Sequence, residues 1–469
     1  MTQSLQINRL VDEQRIGWFN LGLLVWSFLA MLADGYDILA LSFAQPEMQT
    51  LWHVPNKDFG WASSAALVGI LFGAPVLGNL GDRLGRKGAI ITGSVIYGLS
   101  SLSIVWAHDI GQVMMLRFVA GIGLGGIMPN TIALNAELAP ERWRATLITL
   151  MFVGITLGGS VPGLIAYALV PHYGWRVLFL IGGIVPLAVA ACLARFLPES
   201  IKFLALKDAR HRELVATVRR MRPDVRIADD AQLALAADLG AGAAANARLA
   251  TGQLFSAGLA WITPLLWVCF ATALMANYFL NSFLPLIFRD TGLPAGKAAL
   301  AATLYHVGGT VGGLVMSVLL DRFGFVVIAL LFAVAAPAIA GLGLAPTSFG
   351  ALAPLATLAG LAVLGAQFGN NAAAGLLYPT EVRSKGVGWA LGIGRFGAIL
   401  GPSIGGVLLD MHLPLSQLFL AAAAPMLVGA VAALALVRLC YVRLGGLRLG
   451  DVPVARQPKL AQGASASVP

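Results

Sequence analysis

Charge is scarce in this sequence: Asp, Glu, Lys and Arg make up 11% of its 469 residues, where soluble domains carry roughly 25%. With 58% hydrophobic residues and a mean hydropathy of +0.81, a water-soluble fold is excluded. Cysteine is nearly absent, and Cys192, Cys269 and Cys440 are widely separated at helical positions. No disulfide framework or metal-ligand spacing can be built from them, which leaves small apolar packing residues. No Ser–His, paired aspartyl or His-metal arrangement supports an intramembrane enzyme, and no appended domain supports a sensor. The first sixteen residues are polar and the first apolar stretch is too long for a signal core, so that stretch is expected to be retained.

What is present is apolar sequence in long blocks. Stretches able to cross a hydrocarbon core of about 30 Å recur twelve times. They lie near 17–45, 59–80, 88–107, 111–137, 145–169, 175–197, 258–288, 297–320, 325–345, 350–378, 386–409 and 415–439. The pattern predicts an all-α membrane protein with twelve transmembrane helices. An even number of spans puts both termini on one side. On that basis 25 of the 31 Lys and Arg fall on the terminal side, and only Lys57, Arg176, Arg289 and Lys297 fall opposite. The positive-inside bias makes the terminal side cytoplasmic. The net charge of +9 therefore reports orientation, not nucleic-acid binding.

An internal repeat organises the chain. Adding 239 carries Asp82-Arg83 onto Asp321-Arg322, Gly85 onto Gly324, Pro140 onto Pro379 and Arg144 onto Arg383. One shift keeps two loops in register, so the spans divide into two parallel, pseudo-symmetric six-helix bundles with the solute path between them. The expected division is 1–198 for the first bundle, 199–257 for a basic cytoplasmic linker with short surface helices, 258–440 for the second bundle and 441–469 for a disordered tail. Glycine is dense in the fourth, fifth and eleventh spans, where small residues let helices approach closely.

Asp34-Gly35-Tyr36-Asp37 is the costliest stretch, because Asp34 and Asp37 are the only acids well inside a span. An ionisable group there costs about 2.5–3.5 kcal/mol on insertion scales, and such residues mark ion and substrate paths. Only two arginines, Arg117 and Arg395, lie within helices. A carboxylate solute needs a fixed cation, and the guanidinium fork can hold both oxygens. Arg395 is assigned first to a substrate carboxylate and Arg117 first to the aspartates, with the reverse open. Burial and a facing arginine pull a carboxyl's protonation in opposite senses, so Asp34, Asp37 and Arg117 form a candidate proton-coupling group. His306 is the only histidine inside a span, and is read either as a proton relay or as a neutral packing group. Tyr36, Asn130, Tyr278, Asn281, Gln367 and Asn371, with Asn370 and Trp389 beside them, are further polar or aromatic candidates for the cavity.

Gly81-Asp82-Arg83-Leu84-Gly85-Arg86-Lys87, with its reduced copy Asp321-Arg322-Phe323-Gly324, resembles the signature loop of the major facilitator superfamily. So does Arg117-x-x-x-Gly121-x-Gly123 in the fourth span. The resemblance covers the whole chain and implies the major facilitator fold. It also implies a cytoplasmic latch at Gly81, Asp82, Arg83, Arg86, Asp321 and Arg322. The first-span motif, the run Arg117 to Asn130, and Tyr378-Pro379-Thr380-Glu381-Val382-Arg383 with Gly394-Arg395 resemble the aromatic acid:H+ symporters. That family implies import of benzoate, hydroxybenzoate or protocatechuate with protons across the bacterial inner membrane, using no cofactor beyond the proton gradient, by a monomer. Two departures bear on the substrate: Phe283 stands where relatives often have tryptophan, and His306 where glutamine is expected. Another organic anion, such as muconate or a pyridine carboxylate, is the alternative cargo.

Overall fold

The computed structural model describes residues 5–207, 210–225, 233–234, 254–255, 259–378 and 380–444. Among the described residues, twelve long helices are apolar enough to cross a membrane. In the first half they are α1 (Trp18–Trp52), α2 (Asn56–Leu84), α3 (Arg86–Ser103), α4 (Ile110–Leu138), α5 (Glu141–Ala168) and α6 (Arg176–Phe196). In the second half they are α7 (Ile262–Asp290), α8 (Ala295–Phe323), α9 (Val326–Leu344), α10 (Phe349–Leu377), α11 (Thr380–Asp410) and α12 (Leu415–Leu444). Each overlaps the apolar stretch expected, with ends that differ from it by up to several residues: α1 runs beyond its stretch to Trp52, whereas α3 stops at Ser103 and α7 starts only at Ile262. The first helix continues through Pro46 to Trp52 and ends at His53 in a left-handed conformation.

The repeat is carried into three dimensions. Shifted by 239 residues, Asn56–Leu84 becomes 295–323 and Ile110–Leu138 becomes 349–377, the bounds of α8 and α10. Packing repeats as well: α2 with α4 and α8 with α10, α1 with α5 and α7 with α11, α3 with α6 and α9 with α12. The two bundles meet through α2 with α11, α5 with α8, and α1 with α7. At the tight turn after α2, Gly85 has φ +101°, and its counterpart Gly324 after α8 has φ +64°. Side-chain-bearing residues avoid that region, which is why glycine recurs there.

The described N-terminal segment packs on the described part of the linker. Leu5–Gln6 pairs in parallel with Leu233–Ala234 as a two-residue strand pair. The linker helix His211–Met221 buries Leu214, Val215 and Val218 and leaves its arginines on the other side. Residues 208–209, 226–232, 235–253, 256–258 and 445–469, which include much of the linker and most of the expected tail, lie outside the described residues. At the opposite face, four hydrogen bonds tie α2 to α11. Asp410 accepts from the backbone N–H groups of Asn56 (2.8 Å) and Lys57 (3.0 Å), and Ser64 bonds the Ile399 carbonyl (2.7 Å) and the Ser403 hydroxyl (2.8 Å).

Candidate functional site

A cavity of about 220 Å³ lies between the bundles at mid-depth. From the first bundle, Asp34, Gly35, Ile38, Gly125, Met128, Ile155 and Thr156 face it; from the second, Phe270, Asn277, Tyr278, Asn281, His306, Gln367, Phe368, Asn371 and Arg395 do. Seven residues singled out in the sequence are thereby brought together: Asp34, Arg395, Tyr278, Asn281, His306, Gln367 and Asn371. Asp34 is buried, and Arg395 is half-buried near the centre of α11. Neither makes a hydrogen bond or an ion pair with any described residue, and both line the same cavity. Gly35 explains how Asp34 comes to stand there: a Cβ at this position would strike the Ile155 carbonyl, so glycine lets α1 lie directly on α5.

Asp37 is separated from this chamber. Its carboxylate accepts a hydrogen bond from Arg117 Nη1 at 2.7 Å and another from the Ser101 hydroxyl, and Arg117 Nη1 also donates to the Asp37 carbonyl at 3.0 Å. Both side chains are about as sealed as the apolar core, at 1% and 2% exposure. On an α-helix successive residues turn by about 100°, so Asp37 is rotated roughly 60° from Asp34. That is enough to move it from the cavity wall into the α1–α3–α4 contact. A chamber of about 20 Å³, lined by Arg117, Tyr278, Asn281, Ser63 and Ser282, adjoins the pair. Arg117 Nε and Asn281 Oδ1 are both buried without a hydrogen-bond partner among the described residues. The space is enough for one water molecule.

Several expectations are corrected. Tyr36, two positions from Asp34 and so on the far side of α1, donates to the Leu178 carbonyl (2.8 Å) and packs on Gly182, away from the cavity. Asn130 lies thirteen residues along α4 from Arg117, about 20 Å at 1.5 Å per residue. There its amide donates to the carbonyls of Leu77 and Gly126 and its oxygen accepts from Arg86 (3.4 Å), next to the signature loop. Asn370 donates to the Cys269 carbonyl, and Trp389 is exposed and stacked on Trp267. Phe283 is part of the core.

In the signature loop, Asp82 is exposed and pairs with Arg86 at 2.8 Å within its own bundle. Gly81 packs against Asn130, and Lys207 of the linker donates to the Arg83 carbonyl. Arg322 lies over the Phe323 ring, while the Asp321 side chain is outside the described set. Glu199, unmarked in the sequence, accepts from the Lys87 and Ser200 backbone N–H groups, and burial holds its carboxyl above the usual glutamate range.

Asn277 and Tyr305 were also missed. Tyr305 donates to Asn277 Oδ1 (2.9 Å), and Asn277 Nδ2 donates to Gln367 Oε1 (3.2 Å). The Tyr305 ring meets His306 edge-on, with centroids 5.2 Å apart. A signal for Asn277 existed: it is four residues before Asn281, on the same face of one helix.

The sequence profile of the Major Facilitator Superfamily matches residues 27–286 and 266–458. Among curated proteins, the chain is 34% identical to the 4-hydroxybenzoate transporter PcaK of Pseudomonas putida over 424 residues, covering 90% of this chain and 94% of that one. It is 35% identical to the gallate transporter of Pseudomonas putida, covering 91% and 93%. Among solved structures, a bacterial homolog of the human lysosomal transporter Spinster, inward-facing and occupied, has a TM-score of 0.69 at 15% identity, covering 93% and 99%. The xylose transporter XylE of E. coli, partially occluded and inward open, has a TM-score of 0.65 at 16% identity, covering 88% and 97%. At these identities the two structures bear on the fold alone.

Proposed function

Since the chain belongs to the major facilitator superfamily and to its aromatic acid transporters, we propose that it imports a single-ring aromatic carboxylate together with a proton by alternating access. The membrane is the bacterial inner membrane, with the basic face and both termini in the cytoplasm. One observation carries this reading: the Arg395 guanidinium and the Asp34 carboxyl, neither paired among the described residues, share one cavity whose walls are largely apolar. The size is suitable, because a cavity of about 150 Å³ already accepts benzene.

The substrate carboxylate binds the Arg395 fork through two charge-assisted hydrogen bonds. Its ring lies against Phe270, Phe368, Ile155 and Leu364, where offset and edge contacts favour aromatics. Arrival of the anion takes up the positive charge that faces Asp34 and places a second negative charge in the same low-dielectric chamber. Proton binding at Asp34 relieves that repulsion, so each ligand favours the other by the same factor. The loaded cavity is then close to neutral, the condition for rocking the bundles without stranding a charge in an apolar interface. The Asp37–Arg117 pair holds α1 against α4 and keeps Asp34 at its position.

The test is uptake of labelled 4-hydroxybenzoate into proteoliposomes under an acid-outside gradient. The parent protein accumulates it. Asp34→Asn loses accumulation but still exchanges substrate in counterflow, which needs no net proton movement. Undiminished accumulation by Asp34→Asn would remove the coupling role, and absence of uptake of any aromatic acid by the parent would remove the substrate class.

A further inference from the structure

We infer that Tyr305 and Asn277 form a hydrogen-bond relay that holds Gln367 with its amide N–H group toward the cavity, so that the site selects ring substituents that accept a hydrogen bond. This rests on the aromatic-acid reading above and adds a preference to it.

The direction of the relay follows from hydrogen-bond capacity. Tyr305 is fully buried, and among the described residues the one acceptor its hydroxyl reaches is Asn277 Oδ1, at 2.9 Å. If the Asn277 amide were turned over, the phenolic hydrogen would be buried without an acceptor, which is disfavoured. With Oδ1 so engaged, Asn277 can offer only Nδ2 to its other neighbour, Gln367, and at 3.2 Å it meets Oε1. Gln367 therefore keeps its Nε2 hydrogens for the cavity, which it lines together with Asn277. Tyr305, whose ring meets His306 edge-on behind the wall, is a positioning residue.

A phenolic hydroxyl has lone pairs for the Gln367 N–H and a hydrogen that can turn to another lining group. An amino group of the same size on the same carbon offers hydrogens, and its lone pair is delocalised into the ring. The fixed amide therefore receives the hydroxyl and opposes the amine. Sites built on a buried polar group discriminate strongly against a mismatched partner.

Displacement of labelled 4-hydroxybenzoate from purified protein reads this directly, with benzoates carrying a hydroxyl or an amino group at ring position 3 or 4. In the parent, the hydroxyl form at one of these positions binds at least about tenfold more tightly than its amino counterpart. In Tyr305→Phe the Asn277 amide is free to turn, and that ratio falls to within about threefold while affinity for unsubstituted benzoate stays within about twofold. Asn277→Asp places only acceptors beside Gln367, so the glutamine turns its oxygen to the cavity and the ratio inverts, even if the added charge weakens every acid. A parent ratio near one at both positions, or a ratio unchanged in both variants, overturns the relay. Equal loss of benzoate and hydroxybenzoate binding in Tyr305→Phe, with no inversion in Asn277→Asp, reduces it to a packing contact. If no aromatic acid displaces the label, the transport reading itself falls, and the relay loses its ligand with it.

Discussion

Asp37 and Arg117 are held together at 2.7 Å with both side chains sealed from solvent, while Asp34, less than one turn away on the same helix, bonds to no described residue. Two carboxylates that look equivalent in the chain are thereby given different environments. One is bound into an ion pair with a second bond from Ser101, and the other lies on a wall shared with Arg395.

The pair is expected to act on stability. Removing one partner of a buried ion pair costs about 3–5 kcal/mol, because the other charge is left unanswered. Arg117→Ala should therefore lower the thermal unfolding temperature of purified protein well beyond Arg395→Ala, whose guanidinium has no partner to abandon among the described residues. The combination Arg117→Met with Asp37→Asn should recover a large part of the loss.

Arg395 is expected to be intolerant of lysine. An ammonium keeps the charge but not the planar fork, and hydrogen bonds to charged groups contribute about 1.5–3 kcal/mol each. Arg395→Lys should weaken substrate binding by roughly ten- to a hundred-fold with little change in unfolding temperature. Isothermal titration beside a melting curve separates the two effects, and unaltered affinity would remove Arg395 as the anchor.

At the opposite face, Asp410 closes the two bundles by accepting from the N-terminus of α2 at Asn56 and Lys57. Asp410→Ala should move the conformational balance toward opening on that side by about 1–3 kcal/mol. Labelling of a cysteine placed at Ile38, in a background with the three native cysteines replaced, reports it. An impermeant reagent added from that face should react severalfold faster than in the Asp410 parent.

Glu199 gives a pH dependence outside the membrane spans. Its carboxyl is held above the ordinary value of 4.5 mainly by burial, against the bonds from Ser200 and Lys87. A folded-state value above the unfolded one means that its contribution is greatest below about pH 4.5 and declines as pH rises through the shifted value. Glu199→Gln lacks that decline. The difference in unfolding temperature, variant minus parent, should grow more positive from pH 4 to pH 7, and a flat difference would show that Glu199 does not titrate in this window.

The twelve spans and their two-fold repetition were legible because each has a one-dimensional cause. A helix crossing a bilayer must satisfy its backbone internally and cover itself with about twenty apolar residues, and a duplicated turn needs glycine at the same offset, as at Gly85 and Gly324. Rare charges were legible for the same reason: Asp34, Asp37, Arg117 and Arg395 stand out against an apolar background. Their partners were a different matter. Tyr36 and Asn130 have the right chemistry on the right helices, but the rotation of α1 and the depth reached along α4 direct them to Leu178 and to the signature loop.

By itself, then, the chain determined a membrane-spanning, duplicated all-helical architecture and the small set of polar residues able to do chemistry inside it, since length, hydropathy and charge placement are local quantities. Only the tertiary structure decided that Arg117 belongs to Asp37, that Asp34 faces Arg395 across a shared cavity, and that Tyr305 reaches Gln367 through Asn277. Those relations depend on helix rotation and on bundle contact, which are set by hundreds of weak packing interactions and by glycines such as Gly35 that permit backbone contact, and no single stretch of sequence encodes them.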